Sequence, residues 1–386
     1  MKIRIGFVAC WLFLACAHSG AAGDSAFIAS YADSIESFLN EKFADGNTGM
    51  VIGLIDEHES RVFNAGKIGN DTDDGIDGDT IFSLGSVTKV FTSLLLLDAV
   101  RRGEVKLDDP VAKYLPKNVR VPGRDRKSIT LRSLAVQDSG LPFHAQTMTD
   151  ATDPETGKLD LRKFKAASEA ITAQNLYETV STFELTQPPG EAFQYSNVGM
   201  ALLGNAIERR TGRGYESLVV DRICRPLEMS DTRIVLSTEQ KSRLVSGHLD
   251  DGSRADHWNF QAMAPAGGFF STTNDMLRFL AAQLGIQHTP LAESMKETHV
   301  IQHEDTPQFG KTATPWYDSG VYNPPGTDLL GHSGHGFGGR AFVAFDTQKR
   351  RRTDESTEGL PERCRLDSFA GDAVRSAEPC LRGSRS

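Results

Sequence analysis

Ser86 and Lys89, in the stretch FSLGSVTKVFTSLLLLDAVRRG, stand three residues apart. On a helix, positions i and i+3 share a face, so the lysine amine can reach the serine hydroxyl and the pair could act as a nucleophile and its base. Two further polar clusters accompany it. Tyr195 and Asn197, in QYSN ahead of an apolar stretch, point the same way if the link between them is extended. His332, Ser333, Gly334 and His335 lie in the glycine-rich GHSGHG. Acyl transfer needs an activated nucleophile, a proton shuttle and donors for an oxyanion, and the three clusters contain residue types for each. Each also has a plainer reading: an N-capping serine with an exposed lysine, a turn capped by Asn197, a strand edge built for close backbone approach. A metal pair at His332 and His335 lacks a third ligand at recognisable spacing, and the acidic stretch Asp71 to Asp79 lacks the ligand order of a calcium loop. No metal and no cofactor are therefore expected.

Periodicity supplies elements to carry these residues. Val90, Phe91, Leu94, Leu95, Leu96, Leu97 and Val100 cover most of a helix circumference, which marks a helix buried on most sides and closed by Gly103. Ser86, in its first turn, meets unpaired N–H groups and the positive end of the helix dipole. Upstream, Ser25 to Phe43 reads as an amphipathic helix, and Thr48 to Asp56 and Ser60 to Lys67 as two strands joined by a short turn. A helix followed by a hairpin predicts a helix packed on an antiparallel sheet. Downstream, Thr130 to Val136 begins a helix, Asp150 to Lys165 reads as a surface insertion and Ala166 to Phe183 as one helix. A further helix runs from Val198 to Arg210 and ends at Gly212; others follow at Tyr215 to Ile223 and from Asn274. Arg340 to Phe345 reads as a strand.

With 386 residues, 39% of them hydrophobic, the chain can bury a large core. Its net charge of -9 argues against nucleic-acid and anionic-membrane partners. Residues 1–23 combine Lys2 and Arg4 with an apolar run from Ile5 to Ala17 and then small residues, the pattern of a secretory signal that would leave a mature start near Asp24. About 13 apolar residues are too few to span a bilayer, so no stable membrane span is expected; a lipoprotein reading through Cys16 is weaker because Phe13 stands where leucine is usual. Cys224, Cys364 and Cys380 are an odd set for a disulfide framework, and Cys224 reads as a small buried hydrophobe. From Arg351 to Ser386 apolar periodicity vanishes and the composition reads as disordered.

Taken together, the clusters and their surroundings resemble the serine penicillin-recognising hydrolases: class C β-lactamases, DD-peptidases and the esterases that share their fold. The resemblance runs from about Phe27 to Gln348 and includes ITLRSLAVQDSGLP, PPGEAFQYSNVGMALLGNAIERRTG, RPLEMSDT and PAGGFFSTTNDM, in the family's order. It implies an α/β (α+β) fold, an antiparallel sheet flanked by helices with an inserted all-helical subdomain. The catalytic domain would cover 24–350, with the sheet subdomain at about 24–85 and 265–350 and the helical subdomain at about 86–264. It implies Ser86 as nucleophile, Lys89 and Tyr195 as proton shuttle with the choice of base open, and the N–H groups of Ser86 and His335 as oxyanion hole. Asn197 would hold the substrate amide and the Lys89 ammonium, and His332, Ser333 and Gly334 would line the substrate strand. Two features depart from the family: His332 replaces the lysine usual in class C β-lactamases, and no apolar strand or closing helix follows Arg350. The second predicts a shifted reading frame or truncated gene near Arg350, with an unpaired sheet edge and an exposed helix face.

The leading expectation is a periplasmic, monomeric class C type β-lactamase that opens penicillins or cephalosporins through a Ser86 acyl-enzyme. A DD-carboxypeptidase or penicillin-binding protein acting on peptidoglycan peptides, or a carboxylesterase, would use the same residues. An α/β-hydrolase reading of GHSGHG fails because, centred on Ser333, His335 stands where G-x-S-x-G needs glycine. A non-catalytic β-lactam or peptidoglycan sensor would have no need of Ser86, Lys89, Tyr195 and Asn197 together.

Overall fold

In the computed structural model, Met50 to Ile55 is buried along its whole length whereas half of its neighbour Ser60 to Ala65 is exposed, and the strand order makes the first an interior strand and the second a sheet edge. The structure describes residues 9–15, 26–43, 49–69, 75–153, 160–248, 254–255, 257, 259–318, 329–336 and 338–346. Its strands are β1 (Ala9–Ala15), β2 (Met50–Ile55), β3 (Ser60–Ala65), β4 (Ile81–Ser83), β5 and β6 (Gly123–Arg124, Lys127–Ser128), β7 and β8 (Gly247–His248, Arg254–Ala255), β9 (Phe270–Thr272), β10 (His303–Thr306), β11 (Gly310–Thr312), β12 (Tyr317–Asp318), β13 (Leu329–Gly336) and β14 (Gly339–Asp346). One eight-stranded sheet runs β10-β11-β12-β13-β14-β1-β2-β3, and β4 pairs with β9 beside it. The fold is mixed helix and sheet, as expected.

Helices cover both faces of this sheet. Helix α1 (Ala26–Phe43) buries Ile28, Ile35, Leu39 and Phe43 against Ile52, Leu54 and Phe63. On the opposite face of β2 lies the helix Thr273–Leu284: a side chain at Gly53 would press on Thr273 and Leu277. Helix α2 (Thr88–Arg101) is buried from Thr88 through Ala99, with the Phe91 ring 5.7 Å from Phe269 and 4.8 Å from Phe279. A helix apolar all round must sit inside the protein, and this one does. Gly103, at φ +71°, follows it in the left-handed conformation that glycine adopts without strain.

Four expectations are corrected. The sheet, expected to be antiparallel, includes Ala9–Ala15 as β1, parallel to both β14 and β2, so β14 is not left unpaired. The single helix expected over Ala166 to Phe183 is two, Leu161–Ala170 and Ala173–Thr182, because Thr172 caps the second through Asn175; the first of them begins inside the stretch read as a surface insertion. The helix expected over Tyr215 to Ile223 leaves α geometry at Val220 and becomes a π turn. Ser196, rather than Asn197, caps the helix Asn197–Thr211. Cys224 is buried and free, its thiol pushed up to about 12 by desolvation. The expectations for residues 351–386, Cys364 and Cys380 lie outside the described residues.

Candidate active site

Ser86 is held from two sides. The chain leaves β4 through Leu84, whose N–H donates to Phe269 O at 2.8 Å, and turns through Gly85 to Val87 into α2. Thr88 ties the same turn down by accepting from Phe269 N–H through its hydroxyl at 3.1 Å. The first hydrogen bond of the turn runs from Val87 N–H to Leu84 O, so the Ser86 amide precedes it and has no acceptor within the helix. Lys89, 0% exposed, donates through Nζ to Ser86 Oγ at 2.9 Å and to Ala266 O at 2.6 Å. Burial in the core holds its amine well below the ordinary lysine range, because desolvation penalises the ammonium.

Tyr195 arrives from the helical side. Lys89 Nζ lies 4.8 Å from the centre of its ring. The loop carrying it is clamped by Gln137, whose backbone oxygen accepts from Gln194 N–H and whose side-chain oxygen accepts from Ser196 N–H, both at 2.6 Å. Gln137 adopts φ 64°, a left-handed conformation uncommon for a residue with a side chain. Ser196 Oγ then accepts from Gly199 N–H and donates to Pro142 O, which leaves Asn197 free of the capping role. Asn197 N–H donates to Phe143 O, but its side chain is not among the hydrogen-bond partners of Lys89, contrary to expectation.

The opposite wall is β13. Glycine is required where it meets the serine turn: a Cβ on Gly85, at φ +48°, would lie 2.5 Å from His335 O, and one on Gly334 would overlap Leu84 O and come within 3.0 Å of Ser86 N. Among the described residues, β12 pairs with β13 only at Gly331, and no other described strand pairs with the edge beyond it. Ser333 N–H points to this edge and donates to Tyr317 Oη at 2.6 Å. His335 N–H, two residues on, points the same way and flanks the Ser86 turn, the placement an oxyanion hole needs. His332 and His335 project to opposite faces; the first is 1% exposed and the second open to solvent, so they do not converge on a metal. Burial, then the nearby charge of Lys89, pushes His332 down to about 3, leaving the ring uncharged. Its Nδ1 lies 2.7 Å from Ser333 O.

The three clusters read from the sequence therefore meet. The residues that sequence reasoning missed are Gln137, Ala266, Phe309 and Tyr317. Gln137 sits just before Ser139-Gly140, so its neighbourhood was visible, but its role depends on an unusual backbone angle; Phe309, in the turn between β10 and β11, and Tyr317, on the short β12, belong to no polar motif.

Comparison with known proteins gives the family. The sequence model of the β-lactamase family matches residues 35–352, and the chain belongs to that family. It is 30% identical over 259 residues to the D-alanyl-D-alanine-carboxypeptidase/endopeptidase AmpH of Escherichia coli K12, covering 65% of this chain and 62% of that one. It is 26% identical over 238 residues to a β-lactamase of the same organism, covering 61% and 56%. The chain thus spans less than two thirds of the length of these relatives. Its fold matches the β-lactamase/D-alanine carboxypeptidase of Yersinia pestis with a TM-score of 0.68 at 22% identity, over 93% of this chain and all of that one. A class C β-lactamase from Rhodobacter sphaeroides gives 0.67 at 20% identity over 92% and 99%.

Proposed function

We propose that this protein hydrolyses small amides or esters through an acyl-enzyme on Ser86. The observation that carries the reading is the Ser86 Oγ to Lys89 Nζ contact of 2.9 Å on a fully buried lysine whose amine is driven toward its neutral form. A neutral amine accepts the hydroxyl proton as Oγ bonds to the carbonyl carbon, and the oxyanion forms against the N–H groups of Ser86 and His335. The C–N or C–O bond then breaks, and the leaving nitrogen or oxygen takes the proton back from the Lys89 ammonium, beside the Tyr195 ring. Water cleaves the serine ester, releasing a carboxylic acid and regenerating Ser86. In this assignment Lys89 is the base and Tyr195 a positioning and relay group.

β-Lactams and D-alanyl peptides are the substrate classes named by the relatives, and both fit this chemistry. The neutral His332 weakens the β-lactamase reading in its class C form, since a substrate carboxylate would find no cation there. We further infer export to the periplasm, on the basic start and apolar run at the N-terminus. The test is intact-protein mass after mixing with a cephalosporin and, separately, with p-nitrophenyl acetate, alongside Ser86→Ala. A Ser86-dependent adduct that forms and decays as product accumulates is expected from at least one of them. Hydrolysis that survives in Ser86→Ala would overturn the assignment.

A further inference from the structure

The short helix Leu131–Ala135 is closed by an unusual residue. Its C-cap is Val136; Gln137 follows at φ 64°, and Asp138 N–H completes the turn by donating to Ser133 O at 3.0 Å. Such a closure needs a left-handed residue, and glycine supplies it without strain. After three other helices of this chain glycine does so, at Gly103, Gly212 and Gly285. For a residue with a Cβ the same conformation is unfavourable. The turn itself therefore gives no reason for a glutamine.

Its side chain gives one. Gln137 is 3% exposed, its Oε1 accepts from Ser196 N–H at 2.6 Å, and its backbone oxygen accepts from Gln194 N–H at 2.6 Å. One residue thus grips the chain on both sides of Tyr195. Pro142 O, which accepts from Ser196 Oγ at 2.7 Å, and Phe143 O, which accepts from Asn197 N–H at 3.0 Å, continue the hold. Those carbonyl contacts would survive a change of side chain, whereas the one through Oε1 would not. The Nε2 of the same amide is buried with no acceptor among the described residues, so the oxygen alone does the holding. A left-handed backbone and an idle buried amide nitrogen both cost stability. What they secure is the setting of Tyr195, whose ring centre lies 4.8 Å from Lys89 Nζ and 5.5 Å from the Phe143 ring.

We propose that Gln137 is a positioning residue for catalysis, fixing the backbone on either side of Tyr195 so that the phenol meets the proton passing between Lys89 and the leaving group. This rests on the acyl-enzyme reading of Ser86. The step concerned is cleavage of the acyl C–O or C–N bond: the leaving atom takes the phenol proton, and the phenol takes one from the Lys89 ammonium. Gln137 touches neither the proton nor the substrate. A basic leaving group depends on that proton more than one that departs as a stable anion.

Phenyl acetate and p-nitrophenyl acetate, which share an acyl group and differ in the basicity of the leaving oxygen, test it. Gln137→Met keeps the length of the side chain and removes the oxygen; kcat/KM is expected to fall about ten-fold further for phenyl acetate than for p-nitrophenyl acetate. Gln137→Glu keeps an oxygen in the same place and should recover most of the loss. Gln137→Gly relieves the backbone and removes the side chain, and should follow the kinetics of Gln137→Met. Glu228→Gly, at φ 58° on the surface, relieves the same conformation elsewhere and should leave both esters unaffected. On a Tyr195→Phe background, Gln137→Met should change the ratio between the esters by about two-fold at most, because the group it positions has gone. Equal losses for the two esters, Gln137→Glu as slow as Gln137→Met, wild-type kinetics in Gln137→Gly, or an undiminished effect on the Tyr195→Phe background would overturn the proposal while leaving Ser86 acylation intact. Turnover of these esters that persists in Ser86→Ala would instead bring down the catalytic reading itself.

Discussion

The two ends of the cleft are built in opposite ways. At the Ser86 end, the serine sits in the turn that leads into a helix buried from Thr88 to Ala99, and the lysine on that helix has core rather than water around it. At the β13 end, the reactive edge is a strand whose neighbour stops after one pair, and its groups are satisfied by a tyrosine hydroxyl and covered by rings from a hairpin. Burial sets proton affinity at the first end, because an ammonium in a core has lost its hydration. At the second end, a tyrosine hydroxyl stands where a neighbouring strand would pair. On the proposed reading the two ends divide the work: the core end would carry the proton transfer at Ser86, and the edge end would supply the strand amides that face it.

The largest effect should come from the core end. Lys89→Met fills the same space without an amine, and kcat is expected to fall about a thousand-fold while thermal unfolding stays level or shifts upward. The wild-type enzyme should also lose activity as pH falls, since the amine takes a proton and ceases to be a base. Stability carries the same sign: between the lowered folded pKa of Lys89 and its ordinary value, the unfolded chain binds the extra proton, so folding strengthens as pH rises. The methionine variant should lose that slope; full activity in Lys89→Met would end the separation of roles.

A smaller effect is expected where the two ends touch. Gly334→Ala puts a methyl into Leu84 O and against the Ser86 amide, and about a hundred-fold loss of kcat is expected with a destabilisation of about 1–3 kcal/mol. Gly103→Ala is the control: it also has positive φ, yet nothing lies within 4 Å of the added carbon, so it should cost only the backbone term of about 1–2 kcal/mol and leave kcat alone. Equal kinetic loss in both variants would mean that the strand and the serine turn are not matched surfaces.

The smallest effect belongs to the edge end and appears only in acid. His332 has a folded pKa of about 3, below its ordinary value, so between the two the unfolded state binds more protons and stability falls as pH is lowered through that window. Urea unfolding at pH 7 and pH 4.5 should show His332→Gln losing about 2 kcal/mol less than the wild type across the interval. An unchanged difference would mean that the ring is charged in the folded protein.

Much of this was legible in the chain. The apolar circumference of α2, the spacing of Ser86 and Lys89 and the amphipathic pattern of α1 are local features, readable because a helix brings i, i+3 and i+4 together whatever surrounds it. The family resemblance located Tyr195, Asn197 and the His332 stretch. Less legible were the break at Thr172, where a local cap competes with continued periodicity, and the parallel pairing of Ala9–Ala15, which joins β2 and β14 from distant parts of the chain.

The sequence by itself determined which groups could react: a serine and a lysine on one helical face, a tyrosine ahead of a cap, a histidine where a lysine is usual. Only the tertiary structure decided their charge and company. Burial on β13 drives His332 toward its neutral form, Lys89 bonds Ala266 O as well as Ser86 Oγ, and the Ser333 amide meets the Tyr317 hydroxyl. Each of these depends on residues far apart in the chain, and desolvation and edge satisfaction are properties of what surrounds a group in space rather than of its neighbours in sequence.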